Sequence, residues 1–75
     1  MTFNHKRLLH VGLNERQAAV LEKTLFNGPT TLKERIRAGL STRQAVALDG
    51  AWTVTELIPA GFSRPQARLL FWLWD

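Results

Sequence analysis

The chain has 75 residues, 45% of them apolar, no cysteine, and ten Lys and Arg against six Asp and Glu, giving a formal charge of +4 and a pI near 10.8. This composition is too apolar for disorder, and it leaves neither a disulfide framework nor a thiolate metal site. The length fits one domain, 1–75, with a small core.

Helices are predicted in chain order over 4–11, 14–26, 31–38, 41–48, 53–60 and 63–74. No apolar run among them approaches the roughly 18–20 residues of a membrane span. The N-terminal MTFNHKRLLHVG has too few apolar residues after its charges for a signal peptide, so a cytoplasmic location is expected. Asn14 with Gln17 opens the second helix as a capping box. Asn27-Gly28-Pro29 then breaks the chain, because Pro disfavours helix at the residue before it and Asn-Gly favours a turn. Thr31 with Glu34 and Thr53 with Glu56 have capping-box spacing for the third and fifth helices. Leu32 with Ile36, and Val54 with Ile58, put an apolar stripe on each of these two helices. Gly39 and Gly61 end them. Ser41 with Gln44 and Ser63 with Gln66 open the fourth and sixth helices, and Asp49-Gly50 is the second break. Ala51 to Val54 stays open to a short strand or wing.

The helices come in pairs because the sequence repeats. Residues 31–48 align without a gap on 53–70, with nine of eighteen positions identical, and 12–21 repeats the second half of the frame. Such periodicity defines the structural unit. Here the unit is a short helix, a Gly-apolar turn and a second short helix. Three units account for nearly the whole chain, at about 4–26, 31–48 and 53–74. The expected fold is all-α: a compact bundle of about six short helices built from three helix-turn-helix-like hairpins. A stacked solenoid of three such units would have too little core.

Charge is not shared evenly among the copies. Lys33, Arg35, Arg37 and Arg43 fall within eleven residues whose one acid is Glu34, whereas Thr55, Leu57, Pro59 and Pro65 hold the corresponding places in the third copy. A basic middle hairpin and an apolar last one point to an anionic partner for the first and a protein partner for the second.

GLSTRQAVAL and GFSRPQARLL have the spacing of, and resemble, the helix-turn-helix family. TVTELIPAGFSRPQARLLFWL looks like the helix 2 to helix 3 region of small bacterial regulators. The resemblance covers about half the chain. It implies duplex DNA as partner, with the second helix in the major groove and its first residues on base edges. Thr42, Arg43 and Val46, or Arg64 and Arg68, would then be the readers, and Lys33, Arg35 and Arg37 would hold the backbone. LLHVGLNERQAAVL and LIPAGFSRPQARLL also resemble the helix-hairpin-helix, with Asn14, Ser41 and Ser63 in place of its second hairpin glycine.

Simpler roles exist for most of these residues. Gln17, Gln44 and Gln66 suit capping better than adenine reading, and Ala18, Ala45 and Ala67 suit close packing. His5 and His10, five apart, do not share a helix face, and no carboxylate accompanies them as a ligand set, so no metal or other cofactor is expected. Ser41 and Ser63 are caps with no patterned base to activate them, and no catalytic constellation is present. The run Leu69-Leu70-Phe71-Trp72-Leu73-Trp74 is apolar around the full circumference of a helix, so part of it must be exposed or covered by another chain. Phe71, Trp72 and Trp74 are the candidate protein interface, with a homodimer favoured. Two functions remain: a small regulatory or mobile-element DNA-binding protein acting as a dimer, or a protein-binding module or inhibitor that docks on an acidic partner.

Overall fold

The computed structural model describes residues 3–50 and 53–74. Among the described residues there are six α-helices: α1 (Phe3–His10), α2 (Glu15–Glu22), α3 (Leu32–Arg37), α4 (Thr42–Ala47), α5 (Val54–Ala60) and α6 (Arg64–Trp74). Each lies within a predicted span or one residue outside it. The predicted 14–26 helix is α-helical only to Glu22 and then widens into a π-helical turn, Lys23–Asn27. There the Thr24 hydroxyl donates to Val20 O at 2.7 Å. Among the described residues there is no strand; Val54 opens α5, and Ala51 and Trp52 lie outside the described residues.

The repeated frame spells out one turn three times. Gly12, Gly39 and Gly61 have φ of 97°, 107° and 119°, the left-handed region that favours glycine. The residue after each glycine donates its N–H five residues back, as in Leu40 N to Arg35 O (3.2 Å) and Phe62 N to Leu57 O (3.2 Å). This is the Schellman ending of a helix, which puts an apolar residue just past the glycine against the core. Leu13, Leu40 and Phe62 are that residue, and all three are buried. Asn14, Ser41 and Ser63 come next. Each accepts from the backbone N–H three residues on, and Gln17, Gln44 and Gln66 return the bond to the cap N–H. Ala18, Ala45 and Ala67 then fit fully buried where the two helices of a hairpin cross.

The first helices start differently from the spacing of Thr31 and Glu34. The Thr31 hydroxyl accepts from Glu34 N at 3.1 Å, but the Glu34 carboxylate turns to Lys23 Nζ and to the Thr31 hydroxyl rather than to the Thr31 N–H. At Thr53 the hydroxyl donates to Glu56 at 2.7 Å and caps no backbone N–H. The reciprocal boxes therefore belong to α2, α4 and α6. The Leu32/Ile36 stripe does not face the core either: the two residues are 40% and 42% exposed, and α3 buries Arg35 instead.

The hairpins close into a ring. Gln17 Nε2 donates to Gly39 O at 2.9 Å, Gln44 Nε2 to Gly61 O at 2.9 Å, and Gln66 Nε2 to Val11 O at 3.1 Å. Each glutamine thus caps its own helix and fastens the turn of the next hairpin, and the third returns to the first. Closure is what separates a compact bundle from a stack, whose terminal units would have no such partner. The interior repeats in layers: Leu13, Leu40 and Phe62; Ala18 and Ala67; Leu21, Leu48 and Leu70; and Leu8 with Leu57. Among the described residues, no helix is long and apolar enough to cross a membrane.

Candidate nucleic-acid interface

Because the repeated positions are occupied by turns, caps and core, a functional surface has to come from the positions where the copies diverge. The four basic residues of the middle hairpin separate into two groups. Arg35 leaves the surface: it occupies the core position held by Leu8 and Leu57 and is 2% exposed. Its Nε donates to Thr30 Oγ1 (2.8 Å), Nη2 to Thr30 O (2.7 Å), and Nη1 to Ala45 O (2.9 Å) and Asp49 Oδ1 (2.6 Å). A guanidinium so engaged cannot reach a phosphate, so Arg35, contrary to expectation, is an interior residue and not a backbone-holding one. A buried cation needs such partners because its desolvation is otherwise uncompensated.

Lys33, Arg37, Thr42 and Arg43 are exposed, as are Arg64 and Arg68 on α6. Val46, the third expected reader on α4, is 53% exposed. Because Gln44 ties the first turn of α4 to Gly61, three residues before Arg64, the basic starts of α4 and α6 share one end of the ring. The bond from Gln17 to Gly39 brings the start of α2, and with it Arg16, to the same end. Arg37 adjoins this end through Arg16, with which it lines a depression of about 470 Å³ together with Lys23 and Glu34. Arg16 and Lys23 were not singled out in the sequence. The signal for Arg16 was the repeat itself, which places it at the position of Arg43.

The acids of the described residues are engaged within the protein. Glu15 and Glu22 meet the two ring nitrogens of His5 at 2.9 and 3.2 Å. The Glu15 hydrogen bond, followed by that of Glu22, holds the His5 pKa above its ordinary value against the opposing effect of burial. The two ends of α2, packed against α1, supply these carboxylates, which the linear spacing of His5 and His10 did not show. Glu34 pairs with Lys23 at 3.3 Å, and this contact sets its carboxyl below the usual range. Asp49 takes Arg35, and Glu56 takes the Thr53 hydroxyl. Lys6, Arg16, Lys33, Arg37, Arg43, Arg64 and Arg68 are all exposed and have no ionic partner among the described residues.

The aromatic end is partly in solvent, as the all-round apolar pattern requires. Leu70 is fully buried, while Phe71 is 42% and Trp72 61% exposed; the side chains of Trp52 and Trp74 lie outside the described residues. Arg7 stacks its guanidinium 4.6 Å from the Trp72 ring centroid. Phe71 and Phe26 instead border a larger depression, of about 870 Å³, beside Asp49 and Glu56. No protein-family model, curated protein or solved structure matches this chain.

Proposed function

We propose that the protein binds nucleic acid, duplex DNA foremost, through the exposed cations of its diverged positions. The observation that carries this reading is the set of seven exposed Lys and Arg side chains with no ionic partner, on a protein whose described acids are engaged. Unneutralised cations at a surface recruit phosphate, and the entropy of released counterions supplies much of the affinity. Arg16, Arg43 and Arg64 stand at helix starts fastened to one another by the glutamine bonds, so the ring presents them in fixed relation. Helix length divides the work. The six residues of α4 span about 9 Å, whereas the eleven of α6 span about 16 Å, so α6 can offer its first turn to a major groove while its later turns pack on the core. Arg64, in the first turn of α6, is therefore the base reader. Arg43, Thr42, Lys33 and Arg37 hold phosphates.

The test is a salt titration of binding to a pool of short duplexes, with the Arg37→Glu, Arg43→Glu variant alongside. Tight binding that weakens linearly on logarithmic axes and disappears in the variant supports the reading; no binding near physiological salt contradicts it. A second reading rests on Phe26 and Phe71, 47% and 42% exposed around the larger depression, which would suit a homodimer contact. Sedimentation of wild type against Phe71→Ser measures that contact independently of DNA.

A further inference from the structure

The ring has a junction between each pair of successive hairpins, and the junction between the third and the first differs from its counterpart between the first and the second. At the latter, Lys23 on the α2 continuation meets Glu34 on α3, an ordinary ion pair at 3.3 Å. The corresponding residues at the third–first junction are Trp72 on α6 and Arg7 on α1, and the ion pair is replaced by a guanidinium stacked on an indole. The depression beside it, about 320 Å³, is lined by Val11, Leu69, Lys6, Arg7 and His10, with no acid among the described residues of its lining. Arg68 precedes Trp72 by four residues on α6, which places the two on one face of that helix. Lys6 and Arg68 are exposed and have no ionic partner among the described residues. Even with Arg7 against the ring, Trp72 remains 61% exposed.

We infer that this junction is a site for single-stranded nucleic acid. An unpaired nucleobase stacks on the exposed indole of Trp72, and Lys6 and Arg68 take the phosphates on either side. The inference rests on the nucleic-acid reading above and deepens it by naming the strand state that this surface accepts. An exposed aromatic with unpaired cations on the elements beside it is what an unpaired base with its phosphates requires, since every base has a π-face to stack and the backbone charge needs a basic track. A base pair inside a duplex is stacked on both faces and offers neither to the indole, so Trp72 is left to unpaired nucleotides. The protein would then hold duplex at the helix starts and an adjoining unpaired nucleotide at Trp72, as at a nick, a fork or a melted end.

The test compares fluorescein-labelled oligothymidylate of about twelve nucleotides with a blunt duplex of similar length, both read by anisotropy. Wild type, Trp72→Ala, Trp72→Phe and Arg68→Gln are titrated, with circular dichroism melts to confirm folding. For oligothymidylate, Trp72→Ala is expected to lose about tenfold in affinity, and Trp72→Phe to recover most of that loss. Arg68→Gln should lower the salt slope for oligothymidylate by about one. Duplex affinity should stay constant in both Trp72 variants. Unchanged oligothymidylate affinity in Trp72→Ala, or equal loss on both nucleic acids, overturns the inference. Wild type that binds duplex but not oligothymidylate overturns it while leaving the duplex reading intact; wild type that binds neither removes the reading beneath it. Co-sedimentation of wild type with phosphatidylserine vesicles that is lost in Trp72→Ala, without oligothymidylate binding, assigns the junction to an anionic membrane surface and also overturns it.

Discussion

The middle hairpin and its two neighbours fill one core position in opposite ways. Leu8 and Leu57 bury a plain aliphatic side chain there, while Arg35 brings a guanidinium to the same depth and surrounds it with Thr30, Ala45 and Asp49. The comparison shows that the repeat frame fixes how deep a position lies whatever residue occupies it. The side-chain partners come from the segments flanking the middle hairpin, Thr30 just before α3 and Asp49 just after α4, where the other copies differ in sequence. Two arginines eight residues apart thus have opposite fates, Arg35 as an interior strut and Arg43 as a surface cation.

Removing the strut should produce the largest effect. Arg35→Ala leaves Thr30 and the Ala45 carbonyl without their donor and opens a cavity, so it should cost about 3 kcal/mol or more in urea unfolding. Arg35→Leu, which installs the residue of the sister copies, leaves the same Thr30 and Ala45 acceptors without their donor but fills the position and lets the largely exposed Asp49 return to water, so it should cost about 1–2 kcal/mol less than Arg35→Ala. Equal losses in the two variants would mean that the charge network, and not the filled position, holds this hairpin.

Ring closure can be weakened next, one bond at a time. Gln44→Ala removes both the reciprocal cap of α4 and the bond to Gly61, for an expected loss of about 1–2 kcal/mol. Gln44→Glu keeps an oxygen for the Ser41 N–H but has no donor for Gly61 O, so it should lose only the inter-hairpin share, about 1 kcal/mol. A Glu variant as stable as wild type would show that the glutamine bonds follow the ring's geometry without supporting it.

A smaller effect tests the His5 contact between α1 and α2. Because the folded pKa of His5 lies above 6.5, its contribution is complete below about pH 6.5 and is lost as the pH rises through the folded value. Thermal stability should therefore fall across that window in wild type, and His5→Gln should flatten the profile. An identical profile in the variant would place the pH dependence elsewhere.

The architecture was largely legible because it is written three times. Gly-apolar-cap-x-x-Gln-Ala specifies a helix end, a core anchor, a helix start and a close crossing, all of which are local and survive in one dimension. Ring closure was not legible, because Gln66 meets Val11 across 55 residues and no local spacing reports it. Arg35 was misread because a Lys-Glu-Arg-Ile-Arg run looks like a solvated face. Aligning the first copy as well would have placed Leu8 at the same position and marked it as interior. The basic surface was half legible: Lys33, Arg37, Arg43, Arg64 and Arg68 are exposed as expected, Arg16 could have been read from the repeat, and Lys23 joins them only through the packing of α2 and its continuation against α3.

The contrast between the two arginines is tested most directly by the salt slope of duplex binding in wild type, Arg43→Gln and Arg35→Leu. If exposed cations at diverged positions make the phosphate contacts, Arg43→Gln lowers the slope by about one and Arg35→Leu leaves it at the wild-type value. An unchanged slope in Arg43→Gln, or a drop in Arg35→Leu with the fold intact, would contradict the assignment of the two arginines.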